Sequence, residues 1–344
     1  MTVASGFVTL RLASLSFVLS YRAAILGTVL LAALLIAAAS AALTGSYPLP
    51  AAQAWATLLG QSNNTADQVI LLDHRLPRIL TALGAGAAFG LSGAMFQTML
   101  RNPLASPDVI GFTSGAAFGA VMALVLTGGS ILLGALLGGA IAALLVIGLS
   151  WSAGLQPNRL ILIGVGVSLF LTAASDLAMA SLDALTAADM ARWLIGTLNA
   201  RNWTDVAVVW GVFAALLPVT LWLSFALNRL NLSDDTVTSL GLPLSPLRLT
   251  ITVTGVVLVG VGVAVAGPLP FVAFVAGPIA RRIIGGGRPA ILAAAATGAL
   301  VTLLADVAAR AIPLVHLPTG VFTALIGAPV LMWLLLVQTR KGTL

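Results

Sequence analysis

Long apolar stretches recur along the chain at spacings close to one crossing of a lipid bilayer, about 20 residues each. Apolar residues run on without alternating with polar ones, which favours helices over the strands of a membrane barrel. The predicted fold class is an all-α polytopic membrane protein, forming a single transmembrane domain over residues 1–344. We predict about ten spans, at residues 23–43, 78–100, 109–127, 130–150, 159–181, 204–227, 248–267, 271–284, 290–310 and 319–338.

Composition supports a membrane location. The chain is 60% hydrophobic and 8% charged, whereas soluble proteins carry roughly 25% charged residues. Its 35 glycines lie mostly inside the apolar stretches, where small residues let helix backbones approach closely. The first apolar run, Ala23–Leu43, is too long for a signal-peptide core, so we interpret it as a retained span behind an N-terminal tail, residues 1–22.

Three polar segments predict short helices at the membrane surfaces. Residues 50–59 contain Trp55, a residue typical of the headgroup level. Residues 183–202 are too polar to span the bilayer and too apolar to lie free in water. In the loop 228–249, Ser233 begins an N-cap signature and Gly241 is a stop signal, which predicts an amphipathic helix over Asp234–Leu240.

A further segment, RNPLASPDVIG, separates the second and third predicted spans. It begins at Arg101 and contains two helix-breaking pairs, Asn102-Pro103 and Ser106-Pro107. Ser106 or Asp108 is available to cap the helix that follows.

The distribution of positive charge predicts the orientation. An even number of spans places both termini on one side, and with that side in the cytoplasm, eleven of the 16 Lys and Arg residues are inside and five outside. The five outer residues are Arg75, Arg78, Arg192, Arg201 and Arg310. The run DHRLPR (73–78) therefore lies outside, against the general bias. We expect Pro77 in the first helical turn, with Arg78 at the outer helix end, where a cation opposes the helix dipole.

Few residues offer chemistry within the spans. The chain has no cysteine and no Walker motif, and His74 and His316 lack metal-ligand spacing, so we predict no metal, no cofactor and no ATP hydrolysis by this chain. Asp306 and Arg310 are four residues apart on a helix, which predicts a local ion pair. Asp176 is a lone acid in the fifth span, and it pairs locally, caps a helix break, or serves as the site of an ion-coupled carrier.

The order of several segments resembles the iron–siderophore and vitamin B12 importer permeases of the ABC superfamily, which have the type II importer fold. The first of these segments is RLPRILTALGAGAAFGLSGAMFQTMLRNPLASPDVIGFTSGAAFG (75–119). The resemblance continues through WLIGTLNARNW (193–203), DDTVTSLGLPLSPLRL (234–249), AVAGPLPFVAFVAGPIARRI (264–283), LLADVAARAI (303–312) and LPTGVFTALIGAPVLMWLLL (317–336). Within the family, the chain is most similar to the ferric-enterobactin type, specifically its G-type permease subunit.

The resemblance implies a subunit of an importer in the bacterial cytoplasmic membrane, with both termini cytoplasmic. It implies a second permease subunit (a paralogue rather than an identical copy), two ABC ATPase subunits and a periplasmic or lipoprotein siderophore-binding protein, with no role for nucleic acid. Arginines that receive acidic residues of the binding protein match Arg75, Arg78 and Arg310. The coupling helix that contacts the ATPase matches a segment containing Ser233, Asp234, Asp235, Thr236, Leu240 and Gly241.

The family motifs also include helix breaks, and the chain departs from the family pattern at one of these breaks and at Leu317, where many relatives have Glu. The motif residues are Arg101, Asn102, Pro103, Pro107, Gly267, Pro268 and Pro278. Gly277 and Pro278 stand where a Pro-His pair is common, so the break is expected to survive without the histidine. The predicted function is import of a ferric siderophore of the enterobactin, catecholate-like kind. The alternatives are another chelate, such as cobalamin, haem or a different siderophore, and an ion-coupled secondary carrier.

Overall fold

The computed structural model describes residues 7–12, 15–108, 111–152, 154–285, 290–312 and 317–340. Helices dominate this part of the chain, and the predicted spans are confirmed as helices with ends that differ by a few residues. The helices are α1 Tyr21–Leu43, α2 Ala51–Leu58, α3 Thr65–Gln68, α4 Leu76–Met99, α5 Phe112–Thr127, α6 Ile131–Ser150, α7 Pro157–Met179, α8 Ala184–Ile195, α9 Trp203–Leu227, α10 Asp234–Ser239, α11 Leu244–Ala266, α12 Val272–Ile284, α13 Ile291–Ala311 and α14 Thr319–Arg340.

The N-terminal tail contains the one departure from helical structure among the named elements. Strands β1 (Phe7–Leu12) and β2 (Leu15–Ser20) pair antiparallel, with Phe7 opposite Ser20. The hairpin leads directly into α1, so the tail predicted over residues 1–22 includes a local strand pair that its serine-rich composition did not indicate.

Seven helical runs in the described residues are long and apolar enough to cross a bilayer. Two shorter apolar helices, residues 112–127 and 319–334, accompany them, and α12 is shorter still, with Arg281 and Arg282 in its last turn. The three polar segments that were predicted to form short helices do form them, as α2, α8 and α10.

Helix α4 lies at the centre of the bundle and contacts α13, α11, α12 and α9. Nearly all of its residues are buried, and many of them are glycine or alanine. A Cβ atom added at Gly90 would lie 2.2 Å from the carbonyl oxygen of Ala294, and one at Gly298 would lie 2.2 Å from that of Gly86. The backbones of α4 and α13 therefore touch, as expected where helices in lipid associate through small residues.

The DHRLPR run differs from its prediction. Residues Val69–Arg75 form a π-helical segment between α3 and α4, so that helical structure runs unbroken over Thr65–Met99. The wider turn accommodates Pro77, whose ring would crowd the carbonyl of residue 73 in a regular α-helix. Pro77 does lie in the first turn of α4, but Arg78 faces no free helix end, and the expected conflict with a helix dipole was wrong.

The bundle has two ends, which α4 connects over about 36 Å at about 1.5 Å per residue. We call the end with Arg78 and Arg310 the arginine end. We call the other, where Arg101 follows α4 and contacts the segment leading into α10, the loop end.

The close contact between α4 and α13 makes a prediction about glycine. Gly90→Ala is expected to destabilise the protein by roughly 1–3 kcal/mol, because the new methyl group overpacks a backbone contact. Gly260→Ala on α11 is the matched control, since no atom lies within 4 Å of its added Cβ, and alanine favours a helix over glycine by about 1 kcal/mol. Thermal unfolding in detergent measures both, and equal unfolding temperatures would contradict the packing argument.

Candidate functional site

A buried ion-pair cluster occupies the arginine end. The Asp306 side chain, wholly buried, accepts a hydrogen bond from Arg78 Nη2 at 2.7 Å and from Thr319 Oγ1 at 3.1 Å. Arg310 Nε lies 3.1 Å from the second carboxylate oxygen. The predicted pair of Asp306 with Arg310 is therefore confirmed. The contact with Arg78 was not predicted, because 228 positions separate the two residues.

Two arginines at this end hold the chain that follows α1. Arg75 is 6% exposed and donates to the carbonyl oxygens of Ala42 at 2.7 Å and Tyr47 at 2.6 Å. Arg310 donates to the carbonyl oxygens of Ala41 and Thr44. The last carbonyls of a helix lack partners within the helix, so these guanidinium groups satisfy the end of α1.

A fourth arginine, Arg201, completes the cluster and was missed as a site residue. It donates to the carbonyl oxygen of Val265 at 2.9 Å and lies 3.8 Å from the carboxylate of Asp205. The one signal in the sequence was its place in the NARNW segment. The four arginines line a cavity of about 280 Å³, together with Thr44, Gly45, Ser46, Tyr47, Ile70, His74, Leu198 and Ala200.

The three arginines predicted to receive a binding protein are thus brought together, but they do not project freely. Arg75 is buried and the side chains of Arg78 and Arg310 are 18% and 13% exposed. Their guanidinium groups already have partners inside the chain. Of the neighbouring residues of the run, Asp73 and His74 are exposed.

The remaining titratable candidates lie apart from this cluster. Asp176 lies near the end of α7 and is exposed at the surface of the bundle. Its carboxylate has no hydrogen bond or ion pair within the described ranges, which speaks against local pairing among the three alternatives. His316 lies outside the described residues. Within the described residues, no group of three metal-ligating side chains occurs.

At the loop end, α10 forms as its sequence predicted. Ser233 is the N-cap, its hydroxyl accepting from the Thr236 amide at 3.3 Å. Leu240 follows the last helical residue and is 60% exposed, and Gly241 has φ +79°, the left-handed conformation of a helix stop. The helix is one residue shorter than predicted.

Asp234 joins α10 to the bundle through two ion pairs, which we call the Asp234 clasp. Its two carboxylate oxygens lie 2.7 Å from Nη2 of Arg101 and 2.7 Å from Nη2 of Arg248, one on each. Partial burial alone would raise the pKa of Asp234, but its hydrogen bonds and charge interactions with Arg248 and Arg101 outweigh burial and lower it. The carboxylate is therefore ionised at neutral pH. Arg248 was not predicted as a site residue.

The RNPLASPDVIG segment separates α4 from α5 as predicted, but α5 begins without the predicted side-chain cap. Arg101 has φ +48° and follows the C-cap residue of α4. The Asn102 side chain accepts from the Leu104 amide at 2.9 Å, which forms a turn around Pro103. The next helix has Gly111 at its N-cap with no side-chain cap. Capping by Ser106 or Asp108 was therefore wrong.

Asp108 instead interacts with side chains around it. Its carboxylate accepts hydrogen bonds from the Thr113 hydroxyl at 2.5 Å and from the Ser106 hydroxyl at 3.0 Å. Pro107 lies between the two residues and is buried.

The two predicted helix breaks have different outcomes. Gly267, with φ +71°, ends α11 and precedes Pro268 as expected. The predicted break at Pro278 was wrong, because α12 continues through it. Pro278 lacks an amide hydrogen, which leaves the carbonyl oxygen of Phe274 without its helical donor.

A glutamine from α4 supplies the missing donor. Gln97 Nε2 donates to the Phe274 oxygen at 3.0 Å, and its Oε1 accepts from Arg281 at 3.1 Å. A Cβ at Gly277 would lie 2.3 Å from Gln97 Oε1. Glycine at this departure from the family pattern therefore makes room for the glutamine.

Known proteins match this chain along nearly its whole length. The model of the FecCD transport family matches residues 24–337. The ferric enterobactin transport system permease protein FepG of Escherichia coli (strain K12) is 37% identical over 302 residues, 87% of this chain and 91% of the relative. The achromobactin transport system permease protein CbrC of Dickeya dadantii (strain 3937) is 34% identical over 321 residues, 91% of this chain and 92% of the relative.

One solved structure is similar to this chain in both fold and sequence. A metal-chelate-type ABC transporter in an inward-facing conformation superposes with a TM-score of 0.78 at 30% identity, over 91% of this chain and 99% of that one.

The buried cluster predicts a large effect of removing its acid. Asp306→Asn is expected to destabilise the protein by about 3–5 kcal/mol, because Arg78 and Arg310 would remain buried without a counterion. Asp189→Asn is the control, since that carboxylate is 65% exposed and pairs with Arg192 on the surface of α8. Thermal unfolding of the purified protein compares them, and similar unfolding temperatures would disprove the role of Asp306.

Proposed function

The chain belongs to the FecCD transport family, and on that premise we propose that it carries a ferric siderophore of the enterobactin, catecholate-like kind across the bacterial cytoplasmic membrane. It is a multi-pass permease subunit of an ABC importer, in which ATP hydrolysis resides in a separate subunit. The observation that carries the choice of cargo is the 37% identity to FepG over 87% of the chain. A paralogous second permease subunit is part of the same proposal.

Another ferric chelate is the second candidate cargo. The 34% identity to the achromobactin permease CbrC over 91% of the chain supports it. An ion-coupled carrier centred on Asp176 has no such support.

We propose that the arginine end faces outward and receives the binding protein. The counting of positive charges supports this orientation. The cavity with four arginines supports the docking role, since in the described part of the chain Asp205 and Asp306 are the two acids that form ion pairs with those side chains. An acidic surface of the binding protein would be attracted to the excess positive charge, while the hydrogen bonds within the chain keep the guanidinium groups in fixed positions.

We propose that α10, at the loop end, is the coupling helix that contacts the ATPase. Its Asp235 and Leu240 are exposed. Ser233 and Gly241 limit it to a short, defined unit, as a contact between subunits requires.

The cargo is tested by transport. The chain, reconstituted in liposomes with its partner permease, ATPase and loaded binding protein, is expected to import radiolabelled ferric enterobactin only when ATP is present. Ferric citrate and cobalamin are the matched cargo controls. Import of one of these instead, with none of ferric enterobactin, would overturn the cargo while leaving the importer assignment in place.

The docking surface is tested by charge. Association of the binding protein with the complex in nanodiscs is expected to weaken as salt rises, since screening acts on exposed charges. Arg78→Gln is expected to slow association several-fold. Arg192→Gln changes net charge equally at the same end, but Arg192 has Asp189 as its own partner, whereas Arg78 shares Asp306 with Arg310 and so contributes to the excess positive charge.

The docking test has a folding control. Elution volume and unfolding temperature report whether the Arg78→Gln variant remains folded. This control is needed because the substitution also removes an ion-pair partner of Asp306. Equal association rates for the two folded variants would rule out docking at this cluster.

A further inference from the structure

Helix α10 is held to the bundle by few contacts. Of its six residues only Val237 is buried. Beside it lies a cavity of about 570 Å³, lined at α10 by Asp234 and at the bundle by Arg101, Arg248 and Ser245. Val237 anchors one face of the helix in the core, but on the cavity side the helix does not rest on packed side chains, so there its position depends on polar bonds.

The Asp234 clasp supplies those bonds to two helices at once. Arg101 comes directly after the C-cap residue of α4, and Arg248 lies in the second turn of α11. Both pairs have the short distance of charge-assisted hydrogen bonds. The clasp therefore links α10 to the residue that follows α4 and to the start of α11.

Arg101 is itself fixed by its surroundings. It adopts a left-handed backbone conformation, which an arginine keeps only where the structure around it holds it. Its guanidinium donates to the carbonyl oxygen of Leu230 at 2.8 Å and to that of Leu232. The same side chain thus binds both α10 and the segment between α9 and α10.

The two helices reached by the clasp extend to the arginine end. Helix α4 carries Arg78 in its first turn, bonded to Asp306. Helix α11 ends at Ala266, whose carbonyl accepts from the Thr197 amide, and Val265 before it accepts from Arg201. Two continuous helices therefore connect the clasp with the arginine cluster.

We propose that the Asp234 clasp is the positioning element that transmits movement of α10 to α4 and α11 during transport. The proposal rests on the assignment of α10 as the coupling helix. Asp234 acts here through Arg101 and Arg248 and not through contact with the ATPase. Its neighbour Asp235 is exposed and has no ion pair in the described part of the chain, so Asp235 is the residue available to a partner.

The test compares Asp234→Asn in the full complex with the control Asp189→Asn, which removes an exposed carboxylate on α8, far from α10. Asp234→Asn is expected to keep ATPase co-purification and basal ATP hydrolysis, while uptake and stimulation by the binding protein fall about tenfold, the scale for losing two half-exposed ion pairs. Asp189→Asn is expected to retain the coupling ratio, that is, the uptake per ATP hydrolysed, and Asp234→Glu is expected to recover part of it. Arg248→Gln removes one of the two ion pairs and is expected to give an intermediate loss of uptake and stimulation. It is the alternative test variant if Asp234→Asn does not fold.

Two results would overturn the proposal. One is a normal coupling ratio in both Asp234→Asn and Arg248→Gln. The other is loss of ATPase co-purification in Asp234→Asn, which would make Asp234 a contact residue.

A second measurement separates this proposal from the proposed function. Hydrogen exchange on the permease without ATPase is expected to be faster across residues 234–239 in Asp234→Asn than in Asp235→Asn, whatever the cargo. Equal exchange in the two variants would refute the clasp itself. A wild-type complex that neither binds an ATPase nor imports a chelate would instead refute the proposed function.

Discussion

A carbonyl group inside a membrane protein must find its hydrogen-bond donor within the protein, because lipid offers none. Long polar side chains meet this constraint at several places where a helix ends or contains a proline. Arg75 and Arg310 bond the carbonyls at the end of α1, and Arg201 bonds one in the last turn of α11. Gln97 bonds the carbonyl released by Pro278. The residues that appear to be free charges in the sequence are in large part structural donors.

The same constraint shapes the two ends of the molecule. At the arginine end, carbonyl oxygens and the carboxylates of Asp306 and Asp205 hold four guanidinium groups in place. Their positive charges therefore keep defined positions. At the loop end, Arg101 bonds carbonyls after α9 and also the carboxylate of Asp234. Each cluster therefore combines a structural task with charge that a partner protein would sense.

The central position of α4 links these clusters. Glycine and alanine let α13 approach it at backbone contact, and Gln97 connects it to α12 across the space left by Gly277. Close-packed helices move as units rather than deforming continuously. The docking and coupling proposals both depend on this stiffness, since one helix carries Arg78 near its start and leads to Arg101 at its end.

Features that depend on neighbours in sequence were predictable. The spans follow from apolar length, the cap of α10 from Ser233, and the pair of Asp306 with Arg310 from helical spacing. The tertiary structure decided the features that depend on distant segments. These are the contact of Arg78 with Asp306, the burial of Arg75, the clasp between Asp234 and two arginines, and the continuation of α12 through Pro278. The local sequence pattern indicates which residues share a helix face. Only the packing of helices brings a hydrogen-bond donor on one helix to a carbonyl or carboxylate on another.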